Sequence, residues 1–264
     1  MGKVIVIASG KGGVGKTVAV SNIAVALAKL KKKVLIADID IGLRNLDLYM
    51  GVEDVIVYDI MDVIDSSCDI EKAIFRFPKY GNLDFLPAAQ SVDKDFLEPE
   101  KFRELFNKLK NEYDYIIVDC PAGIEKGFKS AIASCDLALL VVTPDMASIR
   151  DADKVVNLLN YNGINDVRLL LNRVIPQLIH SGDMIPIDEI IYTLGIPPIG
   201  IVIEDVAVLK SQRSKAIVAL DSSSEAGNEF NNIAKRLDGE NIPITNLSLK
   251  AKRNIFKRLF SKKY

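Results

Sequence analysis

Near the start of the chain, Gly10-Lys11-Gly12-Gly13-Val14-Gly15-Lys16-Thr17 satisfies G-x-x-x-x-G-K-[ST], directly after the apolar run Val4–Ala8 and ahead of a helical stretch. Glycines there let the backbone take positive φ and approach a ligand closely, so successive N–H groups converge on phosphate oxygens at a helix N-terminus. Lys16 then reaches the β and γ phosphates of a nucleoside triphosphate, and the Thr17 hydroxyl is a ligand for Mg²⁺. Phosphoryl transfer also needs carboxylates at the ends of other strands. Asp119, after Tyr115–Val118, is one candidate, and Asp38 with Asp40, after Val34–Ala37, forms a second pair. Such groups hold a metal's water shell and orient an attacking water.

The elements that must carry these residues are legible as short apolar runs: Val4–Ala8, Val34–Ala37, Leu83–Leu86, Tyr115–Val118, Leu137–Val142, Val167–Leu171 and Ile199–Ile203. Apolar throughout rather than alternating, they fit parallel strands covered on both faces. Helical spacing fills the gaps. Ile23, Leu27 and Leu30 mark a helix over Val18–Lys31; Phe102, Leu105, Phe106 and Leu109 mark Pro99–Lys110; Ile149, Val155, Val156 and Leu159 mark Ser148–Asn160. Alternating βα units predict an α/β fold, a doubly wound, mostly parallel sheet with helices on both faces and its ligand at the carboxyl ends of the strands. The reading is one domain over residues 1–240, a connector over 241–249 containing Pro243, and a separate tail over 250–264.

The 264 residues are 49% hydrophobic and 26% charged, a globular composition that excludes a collagen-like or wholly disordered chain. Net charge is −1, so no overall basic field marks a nucleic-acid binder, and no specific nucleic acid is expected. Seven basic residues and no acid fall between Lys250 and Tyr264, which leaves about −8 on the rest. The three cysteines lack C-x-x-C spacing and the start lacks the pattern of a signal peptide, so a cytoplasmic setting is expected. His180, the single histidine, and Cys120 read as structural.

In a helix over 254–261, Ile255, Phe256, Leu259 and Phe260 span an arc of about 140°, with Lys257 and Arg258 on the other side. That is a small basic amphipathic helix. It fits an anionic membrane surface better than docking on the chain's own core or a nucleic-acid tail, because the aromatics exceed what electrostatics needs and the cations exceed what a core tolerates. One such helix binds weakly, since ordering about eight residues offsets most of the gain. Two on one particle gain roughly 10²–10⁴ in avidity.

With Lys11 at its start, K-G-G-V-G-K-T resembles the deviant Walker A motif of the MinD/ParA class of P-loop ATPases. Asp38-Ile-Asp40-Ile-Gly-Leu-Arg-Asn45-Leu-Asp47 and Asp119-Cys-Pro-Ala-Gly123-Ile-Glu125 resemble the nucleotide-sensing switch segments of its division-site-determining branch. The resemblance spans nearly the whole chain. It implies the P-loop NTPase fold, ATP and Mg²⁺ as substrate and cofactor, and an ATP-dependent homodimer in which Lys11 crosses to the partner's phosphates. Asp40 would orient the hydrolytic water, and Asp38 and Asp119 would support the Mg²⁺ shell. Asn172, Arg173, Glu204 and Asp205 resemble the family's adenine-side residues, and Arg150 and Asp151 a region of state sensing and partner docking. Val18 stands where a second threonine is common, and Ile203 where a proline is; a lost hydroxyl removes roughly 1 kcal/mol of phosphate contact. The implied function is septum placement by an ATPase at the inner face of the cell membrane. Implied partners are the division inhibitor MinC and MinE or another topological factor. DNA partitioning of the ParA kind and flagellar placement are the alternatives; the first would put basic residues in the folded body.

Overall fold

The computed structural model describes residues 1–41, 45–90, 98–124 and 126–244. The chain opens with β1 (Lys3–Ala8), α1 (Lys16–Lys29), β2 (Val34–Asp38), α2 (Asn45–Met50), α3 (Ile60–Ile64) and α4 (Ile70–Ala73). It continues through β3 (Phe75–Arg76), β4 (Leu83–Leu86), α5 (Pro99–Leu109), β5 (Tyr115–Asp119), α6 (Lys126–Ala131), β6 (Leu137–Val142) and α7 (Met146–Tyr161). Then follow β7 (Val167–Val174), α8 (Pro176–Ser181), α9 (Ile187–Leu194), β8 (Pro198–Ile203), α10 (Val206–Ser214) and α11 (Glu225–Leu237).

Eight strands form one sheet in the order β3-β4-β2-β5-β1-β6-β7-β8. All the pairs are parallel except β3 with β4. Both faces are covered, which is why the strands carry unbroken apolar runs. Along β1, Val4, Val6 and Ala8 enter one core and Ile5 and Ile7 the other. The first core takes side chains of α5, α7 and α9; the second takes α1 and α11. The sheet winds outward in both directions from β1, so the loop after β1 opens at the switch point, where α/β sheets bind ligands.

α1 is buried on nearly every side, and its polar residues are satisfied internally. Ser21 Oγ donates to the Thr17 carbonyl at 2.8 Å, while Asn22 donates to the Val18 carbonyl and accepts from the Ala219 N–H, each at 2.8 Å. The Ile23-Leu27-Leu30 stripe therefore saw one side of a helix enclosed all round.

β7 departs from the expected ending at Leu171. It runs on to Val174 through a shift in its register with β8, and Arg173 adopts a left-handed φ of 58°. A bulge of this kind re-aims side chains. Asn172 is turned inward and buried, and Arg173 faces out. The start of the expected connector is held to the body, since Arg236 donates to the carbonyls of Ile242 and Pro243, each at 2.8 Å. Residues 245–249 and the predicted tail helix, with Ile255, Phe256, Lys257, Arg258, Leu259 and Phe260, lie outside the described residues.

Candidate active site

Register places the acids. β2 and β5 are adjacent and parallel, with Asp38 paired directly with Asp119 at their carboxyl ends. Two carboxylates thus stand side by side in neighbouring strands, both almost completely buried. Burial, and then the charge of Asp119, push the Asp38 acid well above the usual carboxylate range. Its Oδ1 accepts the Asp40 backbone N–H at 2.8 Å.

Lys16, at the N-terminus of α1, brings the compensating charge. Its Nζ donates to Asp119 Oδ1 at 2.7 Å and lies 3.9 Å from Asp40 Oδ2. Thr17 Oγ1 donates to the other Asp119 oxygen at 3.1 Å. Burial works to lower the Lys16 pKa, but the attraction of Asp119 and Asp40 outweighs it and leaves the ammonium held above its ordinary value. Lys16, Thr17, Asp38, Asp40 and Asp119 therefore form one cluster at the carboxyl ends of the strands.

The loop between β1 and α1 is fixed by what touches it. Gly15 has φ 95°, and a Cβ there would lie 2.2 Å from Asn172 Nδ2, which donates to the Val14 carbonyl at 2.7 Å. A Cβ at Gly10 would lie 2.4 Å from the Asp151 backbone in α7. Only glycine lets the strand above and the helix beside close on this loop. Asp151 thus contributes backbone packing here, while its carboxylate takes an exposed ion pair with Lys154 at 2.9 Å.

Beside the loop lies a cleft of about 350 Å³, lined by Lys11, Gly13, Asp145, Arg173, Met184 and Glu204 among others. Arg173 pairs with Glu204 at 3.0 Å on its wall. Asp205 is used differently. Its carboxylate caps α10 through the Ala207 N–H at 2.8 Å and holds the start of α11 through Ser224 Oγ at 2.6 Å and the Ala226 N–H at 3.2 Å. The sequence reading had passed over Asp145. It caps α7 by accepting the Ser148 N–H at 2.9 Å, accepts from Thr143 Oγ1 at 2.6 Å, and binds Lys11 Nζ at 2.9 Å. A Thr-Pro-Asp run between an apolar strand and a helix is the signal that would have found it.

The donor set fits Mg²⁺ presented with a nucleotide. Among the described residues no group of three or more His, Cys, Asp or Glu side chains could hold a metal by itself. Mg²⁺ in nucleotide sites needs only one or two carboxylates, completed by phosphate oxygens and water. Two adjacent buried carboxylates and a hydroxyl, with one acid driven up by burial and then by the other's charge, favour an incoming cation.

Comparison with known proteins agrees. A family model described as an AAA domain matches residues 2–173. The septum site-determining protein MinD of Bacillus subtilis (strain 168) is 44% identical over 246 residues, 92% of each chain. The chain belongs to the MinD family of septum site-determining ATPases. A MinC:MinD cell division protein complex from Aquifex aeolicus superposes with a TM-score of 0.86 at 41% identity, covering 92% of this chain and 98% of that one. MinD of Pyrococcus horikoshii OT3, solved with Mg-ADP, gives 0.79 at 31% identity over 90% and 97%. The P-loop NTPase fold expected of a MinD-family chain is thus the one observed. No helix among the described residues is long and apolar enough to cross a membrane.

Proposed function

We propose that this chain hydrolyses Mg·ATP as a nucleotide-bridged homodimer, and that pairing brings two basic tails together on the anionic inner face of the cell membrane. The observation that carries the reading is the buried Lys16–Asp119 pair with Asp38 and Asp40 around it, where the glycine loop passes into α1. The N–H groups of Gly10 to Val18 cradle the phosphates. Lys16 leaves Asp119 for the β and γ phosphates, and its charge follows the charge that develops in transfer. Thr17, Asp38 and Asp119 would hold the Mg²⁺, which would supply positive charge to the phosphates. Asp40 orients the hydrolytic water. Lys11 completes the partner's site, as an arginine finger would. Asn172, Arg173 and Glu204 flank the base.

Residues 1–240 form the ATPase domain, 241–249 the connector and 250–264 the basic amphipathic membrane-targeting tail. A relative solved in a MinC:MinD complex supports a division inhibitor of the MinC kind as the cargo. MinE or another topological factor would stimulate turnover and release the tails. Co-sedimentation with anionic liposomes tests this in ATP and ADP, for the full chain and for a truncation after Leu249. Pelleting should require both ATP and the tail. Equal pelleting in ADP would defeat the switch, and unchanged pelleting of the truncation would defeat the tail assignment.

A further inference from the structure

The Lys11 side chain is not idle within its own subunit. Its Nζ sits 2.9 Å from Asp145 Oδ1, and both side chains are partly exposed, at 34% and 46%. That oxygen also accepts the Ser148 N–H at the α7 N-terminus, while Oδ2 accepts the Thr143 hydroxyl, so the carboxylate is fixed from two sides before Lys11 arrives. Lys11 and Asp145 line the same cleft. We propose that Asp145 is a positioning residue for Lys11, a counter-ion in the same subunit that must be given up before the lysine reaches a neighbouring subunit's phosphates.

This rests on the reading that Lys11 acts across the dimer. The competition is quantitative. An exposed ion pair is worth a factor of up to about fivefold in an equilibrium. A dimer gives up two such pairs, so the factor enters squared, up to about 25-fold in the dimerisation constant. Asp145 thereby holds pairing below what the phosphate contacts alone would set. Helix capping is separable from this role, because asparagine caps as well as aspartate: its Oδ1 still accepts the Ser148 N–H, while its Nδ2 donates to the Thr143 hydroxyl, which turns to accept.

Two measurements on the full chain test it, both comparing Asp145→Asn with Asp145. Amine acetylation followed by mass spectrometry, on monomeric protein, should show Lys11 modified about two- to fivefold faster in the variant, with the other lysines unchanged. Sedimentation velocity in Mg·ATP, with Asp40→Ala in both chains to block turnover, should show the variant dimerising at about four- to 25-fold lower protein concentration. An unchanged Lys11 labelling rate would overturn the clasp. Faster labelling with equal or weaker dimerisation would overturn the competition. A Lys11→Ala, Asp40→Ala chain that pairs as tightly as Asp40→Ala alone would instead remove the parent reading, leaving the labelling result to stand by itself.

Discussion

Lys16 carries two burdens, one chemical and one structural. As the charge opposite Asp119 it stabilises a buried pair, and removing one partner of such a pair costs about 3–5 kcal/mol. As the phosphate ligand proposed, it would make charge-assisted hydrogen bonds worth about 1.5–3 kcal/mol each. Lys16→Ala should therefore lower thermal stability and weaken ATP binding by about 10- to 100-fold, as read by calorimetry and a nucleotide titration. ATP affinity equal to that of the parent chain would show that the loop N–H groups suffice. Asp40→Ala should separate binding from chemistry. It should bind Mg·ATP and pair, while single-turnover hydrolysis falls by about 10²- to 10⁴-fold. Rapid turnover would mean that another group holds the water. The sequence already displayed both residues, Lys16 in a motif whose geometry is local and Asp40 just beyond an apolar strand. It did not reveal that Lys16 reaches Asp119, because that contact depends on which strands become neighbours.

At the scale of elements, burial and capping decide. Phe230 on α11 is fully buried in the core beneath β8, so Phe230→Ala should cost about 3–5 kcal/mol in chemical denaturation. Asp205 ties α10 to α11, and its acid lies below its ordinary value: burial alone would raise it, but hydrogen bonds from Ser224, Ala207 and Ala226 prevail. A depressed folded-state pKa contributes stability that is present above the unfolded value, about 3.9, and is lost as pH falls through the folded one. Asp205→Asn should hence flatten the loss of stability as pH falls below about 4. An unchanged acid limb would assign that loss to other carboxylates. Long elements were readable because a strand covered on both faces must be apolar throughout. Short ones were not: α2, α3, α4 and α8 have at most six residues, fewer than two turns, too few to display a period. The bulge in β7 was equally hidden, because nothing in Leu171-Asn172-Arg173 forces a positive φ and the pairing with β8 imposes it.

Whole-molecule behaviour follows from combining one strong device with a weak one. The proposed nucleotide site is built on β1, β2 and β5 at the centre of the sheet, whereas the single basic amphipathic tail proposed as a membrane anchor would hold feebly on its own. In the proposed pairing, doubling the anchor through ATP would convert weak affinity into switchable attachment without new contacts. The body of the chain showed its architecture in sequence through its βα alternation, and the tail showed itself as a break in charge, seven cations against a body at about −8. Pairing itself leaves no such trace, because it joins surfaces of separate chains. Small-angle scattering of the Asp40→Ala chain in saturating Mg·ATP, set against the same chain in ADP, tests the pairing most directly. The account predicts a particle of twice the chain's 29.1 kDa in ATP and of one chain in ADP; a single chain in both would contradict it.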